Sequence, residues 1–393
     1  MKYDFETLVP RISAGAEKWE MMRRVKPSVG ENIVPLSVAD MEIKNAPEIT
    51  EAIVGWARAN IPGYSTAPDG FYECVCRFME KNHNWRISPG EIVTTPGVVY
   101  ALLQAVKTVT APGDGVIIMT PVYYPFYRVI SAAGRNVVKN PLINDGGKYS
   151  IDFDGLEKLA RDGKNTALIL CSPHNPVGRV WTRAELEKLA KICLENNVFV
   201  ISDEIHFDLI MPGYSHTVLA SISPDIAAKT ITCTAPSKTF NLAGLNHSNI
   251  VIPDENVRQR FRRELSNAAT PMQTPYAFAA CRAGYEKCGD WLSQLIAHID
   301  CNRKYVADFC ARRIPDIRVS PLEGTYLQWL DLRAFGASRE KLEKTMAARD
   351  LFFDEGYLFG DDGAGFERIN LACPGYVISG AMDRLEDACR ELR

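Results

Sequence analysis

The sequence predicts an α/β protein with two parts: a large domain whose mainly parallel sheet lies between helices, and a smaller α+β domain. Between residues 91 and 252, short apolar runs alternate with amphipathic segments, a pattern typical of strands joined by crossover helices. Most of these runs are apolar throughout rather than at every second residue, which indicates strands buried on both faces. After residue 253 the pattern changes to long helical segments and one short strand–helix unit.

Seven runs of the central region have the length and composition of strands. They are "EIVTTP" (91–96), "GVIIMT" (115–120), "NVVKNPL" (136–142), "TALILCS" (166–172), "NVFVIS" (197–202), "TITCTA" (230–235) and "SNIVIP" (248–253). Helical spacing of apolar residues lies between them in "VVYALLQAVKTV" (98–109), "YPFYRVISAAG" (124–134) and "RAELEKLAKICLENN" (183–197).

The segments that flank this region predict the smaller domain. We expect helices from 254 to about 288 and from 291 to 314, then a strand in "YLQWLDL" (326–332) and a helix in "SREKLEKTMAARD" (338–350). The Pro- and Gly-rich stretch "VKPSVGENIVPL" is expected to pack on the outside. We therefore assign residues 1–46 and 283–393 to the small domain and residues 47–282 to the large one.

Composition and charge exclude several classes of protein. The 393 residues are 46% hydrophobic and 24% charged, with a formal net charge of −3, which gives no electrostatic reason to expect a nucleic acid or an anionic membrane as partner. The most basic stretch, "VRQRFRREL" (257–265), has Val257, Phe261 and Leu265 at helical spacing and is interpreted as an amphipathic helix with a solvated basic face.

Cysteine spacing and the N-terminal sequence help to predict metal binding and the cellular compartment. The 11 cysteines include no Cys-x-x-Cys pair, and Cys74-Val-Cys76 is a poor metal clamp, so we expect no metal site. The start "MKYDFETLVP" lacks the apolar core of a signal peptide, and no apolar run approaches the length of a membrane span. These observations favour a cytoplasmic protein with reduced thiols.

Special residues follow several predicted strands, at the edge where ligands bind in open α/β sheets. Gly97 precedes a helix and predicts an anion seat at its N-terminus, although a glycine here can also be a simple turn residue. Asn175 lies in the stiff loop "SPHNPVG", where an ordinary turn asparagine is the alternative. Asp203 ends an apolar strand; its carboxylate either caps a helix or faces a bound cationic group.

Lys238 stands in "TAPSKTFNLAGLNHS" (234–248) among small and hydroxyl residues, with no charged residue nearby in sequence. An amine in a neutral pocket has a lowered pKa and becomes a candidate for Schiff-base formation. A lysine, an aspartate, an asparagine and a phosphate seat together match what pyridoxal 5'-phosphate (PLP) requires. The aspartate would keep the pyridine nitrogen protonated, and the asparagine would bind the ring's 3-oxygen.

Three blocks carry a specific resemblance: "CSPHNPVGRVW" (171–181), "SDEIHFDL" (202–209) and "APSKTFNLAGL" (235–245). They resemble the fold-type-I PLP enzymes of the aminotransferase superfamily (class I/II). Within it, the chain is most similar to the MalY/PatB-type cystathionine β-lyase (cysteine-S-conjugate β-lyase) group, through "PLSVADMEI" (35–43), "PGYS" (62–65), "PGVVYAL" (96–102) and "TPVYYPF" (120–126).

The resemblance implies roles for further residues around the cofactor. Tyr123 would stack on its ring, and His206 would lie near the 3-oxygen side. Ser237 would bind the phosphate, together with the backbone of Gly97, Val98 and Val99. Tyr64 would reach the phosphate of a neighbouring subunit, which implies a homodimer with shared active sites.

The resemblance also implies how the substrate, a small amino acid, is held and transformed. Arg368 in "ERINLACP" (367–374) would clamp the α-carboxylate, with Asn175 and Ala39 as further substrate-binding residues. Lys238, Tyr64 and Tyr123 are the expected catalytic residues, and Lys238 would be the general base. The implied reaction is an α,β-elimination of cystathionine or another cysteine S-conjugate to a thiol (homocysteine from cystathionine), pyruvate and ammonia.

The chain departs from the family pattern at two positions, and two other functions remain possible alternatives. Asn246 stands where many aminotransferases have a phosphate-binding arginine, which slightly favours the lyase group, and Ser37 stands where that group usually has tryptophan. An aminotransferase would use the same residues up to the loss of the Cα proton, and a PLP-binding regulatory protein would need no turnover. His83, His216 and His298 are expected to be surface or structural residues, and Glu204 is expected to be structural.

Overall fold

A computed structural model describes residues 3–9 and 11–393 of the chain. The strands are β1 Ile92–Thr95, β2 Gly115–Ile118, β3 Asn136–Lys139, β4 Ile143–Asp145, β5 Lys148–Ser150, β6 Asn165–Cys171, β7 Phe199–Asp203, β8 Thr230–Thr234, β9 Ser248–Val251, β10 Arg318–Val319, β11 Leu327–Asp331, β12 Asp354–Glu355 and β13 Phe366–Asn370.

The helices follow the same numbering from the N-terminus. They are α1 Glu17–Val25, α2 Pro47–Ala59, α3 Phe71–His83, α4 Val98–Val109, α5 Pro125–Ala132, α6 Phe153–Ala160, α7 Arg183–Glu195, α8 Pro224–Ala228, α9 Pro236–Thr239, α10 Glu255–Asn267, α11 Pro275–Lys287, α12 Gly289–Arg313, α13 Arg339–Ala348 and α14 Gly375–Leu392. Within residues 3–9 and 11–393, the helices include none that is both long and apolar enough to cross a bilayer.

The large sheet contains all seven strands that the sequence predicts, in the order β1-β9-β8-β7-β6-β2-β3. The pairs from β8 through β7, β6 and β2 to β3 are parallel, whereas β9 runs antiparallel to both of its neighbours. The predicted α/β class with a mainly parallel sheet is therefore confirmed.

Successive residues of the central strands enter two different cores, which is why these strands are apolar throughout. Val116 and Ile118 of β2 pack with α4, α5 and α10 on one face of the sheet. Ile117 packs with α6 and α7 on the other face. A strand with helices on both faces has no solvent side, so it lacks the polar alternation of a half-exposed strand.

A second sheet, β10-β11-β13-β12, is antiparallel throughout. Its core joins the two ends of the chain: Trp19 and Leu36 pack in the same cluster as Leu327, Ile369 and residues of α12 and α14. The domain boundaries at 46 and 282 stay predictions, since no observation here fixes where one domain ends.

One detail of the sequence prediction holds only in part and another was wrong. Residues 25–33 of the Pro- and Gly-rich stretch are exposed or half-buried, as expected, whereas Val34 and Leu36 are buried; the Leu36 N–H donates to the Phe352 carbonyl, and the Leu36 carbonyl accepts from the Asn370 N–H. The helix expected from 254 to 288 is two helices, α10 and α11, separated by residues 268–274. The break coincides with Pro271 and Pro275, since proline disfavours helix in the residue before it.

Candidate active site

A cavity of about 250 Å³ opens at the carboxyl edge of the large sheet. Strands β1, β2, β6, β7 and β8 all point the same way, so the segments that follow them meet at this edge. The cavity brings together most of the site residues expected from the sequence, which are Ala39, Gly97, Val98, Val99, Tyr123, Asn175, Asp203, His206, Ser237, Lys238 and Arg368.

Lys238 lies on α9, the single helical turn that follows β8, and its side chain points into the cavity. Its Nζ donates a 2.6 Å hydrogen bond to the carbonyl of Ala39. Burial lowers the pKa of the Lys238 amine to about 8; the carboxylate of Asp40 opposes this effect and the guanidinium of Arg368 adds to it. A large fraction of this amine is therefore neutral and nucleophilic at mildly alkaline pH, as a Schiff-base lysine requires.

Asp203, the last residue of β7, is 3% exposed. Its Oδ1 accepts a 3.3 Å hydrogen bond from the Ile205 N–H, and no salt bridge reaches it from any described residue. Burial raises the pKa of the Asp203 carboxyl to about 7, although Lys238 partly offsets this effect. Since no described cation is in salt-bridge contact with this carboxyl, the site is suited to a bound cationic group.

Arg368, on β13, crosses from the second sheet to the cavity and is 2% exposed. Its Nη1 donates a 3.0 Å hydrogen bond to Asn175 Oδ1, and its Nη2 forms a salt bridge with Asp354 on β12. The guanidinium also lies 4.7 Å from the ring centroid of Phe359. These contacts fix an arginine fork beside Lys238, a geometry suited to a carboxylate.

The N-terminus of α4 forms another wall of the cavity. Gly97 has φ +94°, a conformation that favours glycine, and open space lies where a Cβ would stand. The first N–H groups of a helix lack intrahelical acceptors and form its positive end, so Val98 and Val99 present donors to the cavity. Ser237 lines the same cavity and supplies a hydroxyl. Together these groups form a seat for an anion such as a phosphate.

Tyr123 and His206 complete the polar wall. The Tyr123 N–H donates to the Asn175 carbonyl at 3.0 Å, and burial raises the pKa of its phenol. His206 lies edge-on to Tyr326 with ring centroids 5.7 Å apart, and burial lowers the pKa of its imidazole well below the usual range. Its buried Nδ1 has no hydrogen-bond partner among the described residues.

Tyr64 does not join this cavity. Its side chain is 99% exposed, and the nearby Ile61 is 87% exposed. Tyr64 is expected to contact the cofactor of a neighbouring subunit. That expectation therefore stays a prediction, since a single chain does not test it.

Sequence reasoning missed Tyr326 and Asp354, which lie behind the site. The Tyr326 hydroxyl donates a 2.8 Å hydrogen bond to the Ala39 carbonyl, the same atom that accepts from Lys238. Asp354 is the salt-bridge partner of Arg368. Tyr326 lies 287 residues from Ala39 along the chain, and Asp354 meets Arg368 only through the pairing of β12 with β13. Neither residue belongs to a recognisable sequence motif.

His83, His216 and His298 each have a ring nitrogen close to an oxygen atom of another residue. His83 Nε2 lies 2.7 Å from Asp208 Oδ1, and His216 Nε2 lies 2.7 Å from Glu204 Oε2. Glu204 is fully buried and also accepts from the Ser202 hydroxyl. His298 Nε2 lies 2.8 Å from the Cys373 carbonyl. In the described part of the chain, no group of His, Cys, Asp and Glu side chains has the arrangement of a metal site.

The fold and the cavity define a class: an α/β protein with a buried lysine of lowered pKa, a buried carboxyl and a helix N-terminus at one sheet edge. The profile of the family described as "Aminotransferase class I and II" matches residues 31–374. The chain belongs to this family.

Individual relatives cover the whole chain. Cystathionine beta-lyase PatB of Bacillus subtilis (strain 168) is 38% identical over 391 residues, which are 98% of this chain and 99% of that protein. The crystal structure of cystalysin from Treponema denticola, which contains pyridoxal 5'-phosphate, has a TM-score of 0.98 and 46% identity and covers 100% of both chains. The PLP-bound C-S lyase of Staphylococcus hominis has a TM-score of 0.92 and 30% identity, covering 99% of this chain and 98% of that one.

Proposed function

We propose that this chain is a carbon–sulfur β-lyase that converts cystathionine or another cysteine S-conjugate to a thiol, pyruvate and ammonia. PLP is its cofactor, as the sequence predicted: similar chains contain PLP in their structures. The observation that carries the proposal is the convergence of Lys238, Asp203 and Arg368 on one cavity of a chain similar over its full length to carbon–sulfur lyases.

The residues of the cavity fit PLP one functional group at a time. Lys238 has the lowered pKa needed to bond the aldehyde. The buried Asp203 carboxyl suits a protonated pyridine nitrogen, and the N-terminus of α4 with Ser237 suits the phosphate. The partnerless Nδ1 of His206 is a polar atom whose desolvation is otherwise uncompensated.

Bound PLP supplies an electron sink that stabilises negative charge at the substrate's Cα. Asp203 sustains it, because a carboxylate beside the pyridine nitrogen favours the protonated ring. Arg368 binds the substrate α-carboxylate, and Asn175, hydrogen-bonded to Arg368, keeps the fork in place. Since the guanidinium and Lys238 line the same cavity, the bound substrate has its Cα near the amine.

Lys238 is the general base for the Cα proton. The electron pair of the broken C–H bond becomes a Cα–Cβ double bond as the Cβ–S bond breaks, and sulfur leaves with its pair as a thiolate. The remaining three-carbon amino product takes up water to give pyruvate and ammonia. Ala39 holds the free amine through its carbonyl and so limits its motion between the two tasks.

We further propose a homodimer in the cytoplasm. Ile61 and Tyr64 are both largely exposed, and Tyr64 would complete the phosphate seat of the other subunit. All 11 cysteines are free thiols, which favours a reducing compartment.

The test is a product assay on PLP-loaded protein with L-cystathionine and no 2-oxo acid. We expect sustained, equimolar release of homocysteine, pyruvate and ammonia. Lys238→Ala should abolish it, whereas Lys191→Ala, at an exposed lysine of α7, should not. If the protein forms no product until a 2-oxo acid is added and then exchanges amino groups, it is an aminotransferase and the lyase proposal is wrong.

A further inference from the structure

A second pocket lies on the face of β13 that points away from the active site. Its cavity of about 330 Å³ lies between α13 and the paired strands β12 and β13, and its lining includes Leu342, Glu343, Glu355, Tyr357, Phe366 and Glu367. We call it the α13 pocket. Neighbouring residues of a strand point to opposite faces, so Glu367 faces this pocket while Arg368 faces the active site.

Glu367 is the unusual residue of the α13 pocket. It is 2% exposed, and its carboxyl forms neither a salt bridge nor a hydrogen bond with any residue in the described part of the chain. Its partner across the strand pair is Glu355, a second carboxyl without a salt bridge to a described residue. Side chains at directly opposite positions lie about 5 Å apart, so this pair of like groups is unfavourable when both are charged.

The cations around the pocket are engaged elsewhere. Arg339 forms a 2.9 Å salt bridge with Glu343 and lies 3.3 Å from the Tyr357 ring centroid. Arg333 pairs with Asp331 at 2.7 Å and lies 4.6 Å from the ring centroid of Phe366. Neither arginine forms a salt bridge with Glu355 or Glu367, although Arg339 partly offsets the negative charge around Glu355.

The electrostatics of Glu367 agree with this geometry. Burial raises the pKa of its carboxyl well above the usual range, and the neighbouring Glu355, Asp354 and Glu343 carboxylates raise it further. A cation placed between Glu355 and Glu367 would lower both pKa values. Its binding would release protons when the free site is protonated.

We propose that the α13 pocket is a binding site for a small organic cation, an amidine, guanidine or amine carried on an apolar body. The charged head lies between Glu355 and Glu367, and the apolar body lies against Leu342 and Ala337. A flat amidinium or guanidinium is the best match, because its parallel N–H donors fit a carboxylate in a bidentate geometry.

Benzamidine is a suitable probe, because its amidinium is planar and its ring fits an apolar pocket. Benzamide, of the same shape but neutral, is the matched control. Isothermal titration of the PLP-loaded protein at pH 8 should show benzamidine binding at least about tenfold more tightly than benzamide. Repeating the titration in two buffers of different ionisation enthalpy should reveal proton release on binding.

Variants test whether benzamidine binds in the α13 pocket. Glu367→Gln should weaken benzamidine binding at least about tenfold and Glu355→Gln several-fold, while Glu340→Gln, at an exposed position of α13 outside the pocket, should leave it unchanged. Equal affinity for benzamidine and benzamide would overturn the proposal, and so would unchanged binding by both pocket variants. Should Glu367→Gln fail to fold, Glu355→Gln and the two-ligand comparison decide the matter alone.

Discussion

The active-site cavity and the α13 pocket each contain a buried carboxyl without a salt bridge, yet their surroundings differ. Asp203 shares its cavity with the cations of Lys238 and Arg368. Glu367 faces a second carboxyl, Glu355, and arginines that already have partners. By contrast, Asp354, between these two regions, has Arg368 as its counter-ion.

The comparison shows that a buried carboxyl without a salt bridge indicates what kind of ligand a site binds, provided that the charges around it are also considered. Leaving such a group without compensation costs free energy of folding, so its presence indicates a ligand that supplies the missing charge. At Asp203 we propose that this ligand is the protonated ring of PLP, with the neighbouring cations serving the cofactor and substrate. At Glu367 the surrounding negative groups indicate a ligand that is itself the cation.

The largest expected effect is at Asp203. Asp203→Asn should lower kcat/KM at least about 10³-fold, because a neutral amide does not hold the pyridine nitrogen protonated. Product formation under the conditions of the lyase assay measures this effect. An exposed aspartate of α14, changed in Asp383→Asn, is the control. If the kcat/KM of Asp203→Asn were within about tenfold of wild type, Asp203 would not have the role proposed for it.

The same substitution should stabilise the cofactor-free protein. The pKa of Asp203 rises from 3.8 to about 7 on folding, so as pH rises this carboxyl ionises at a lower pH in the unfolded chain than in the folded protein. Stability therefore falls as pH rises from about 4 to 7, and the full penalty persists above pH 7. Asp203→Asn should raise the Tm by about 5 °C at pH 8 and much less at pH 4.5, as followed by circular dichroism.

The second effect in size is at Arg368. Arg368→Lys keeps the charge but loses the fork, so KM for cystathionine should rise about 10²-fold while PLP affinity stays constant. Arg333→Lys, on the opposite side of the second sheet, is the matched control. A fall in kcat with unchanged KM would show that Arg368 does not bind the substrate carboxylate.

The third expected effect concerns the titration of Lys238. In cofactor-free protein its amine should be half neutral at about pH 8, since burial disfavours the charged form. The exposed Lys191 of α7 serves as the reference lysine. Site-resolved mass spectrometry after brief acylation across pH 6–11 measures both. Parallel reactivity curves for the two lysines would contradict the account.

The smallest effect is expected at Glu367. Glu367→Gln removes one of two opposing carboxyls, so we expect the Tm to rise by about 1–2 °C at pH 8 and kcat/KM to stay within about twofold. A large loss of stability would mean that the carboxyl has a stabilising partner in solution. Paired with Asp203→Asn, this variant separates a carboxyl that serves catalysis from one that does not.

Much of the site was predictable because its residues follow strands. The carboxyl ends of parallel strands meet at one edge, so local patterns sufficed to place Asn175, Asp203 and Lys238 together. Tyr326 and Asp354 were not predictable, because their positions depend on tertiary contacts: Tyr326 with the distant Ala39 carbonyl, and Asp354 with Arg368 on the paired strand. Burial of Leu36 was hidden for a similar reason, since its backbone partners lie more than 300 residues away.

The fold was predictable to the extent that its elements have a clear apolar pattern. All seven strands of the large sheet follow from apolar runs between turn residues. The α13 pocket follows from no pattern, because nothing in "GFERINLACP" reveals that Glu367 faces Glu355 across a strand pair. Register between distant strands is a tertiary property.

The most direct test of the central claim, that the cavity holds PLP through Lys238, is borohydride reduction of the PLP-loaded protein followed by peptide mass spectrometry. Reduction fixes the cofactor to whichever amine it is bonded to. The account predicts a single modified peptide, with the cofactor mass on Lys238. Modification of another lysine, with Lys238 unlabelled, would contradict it.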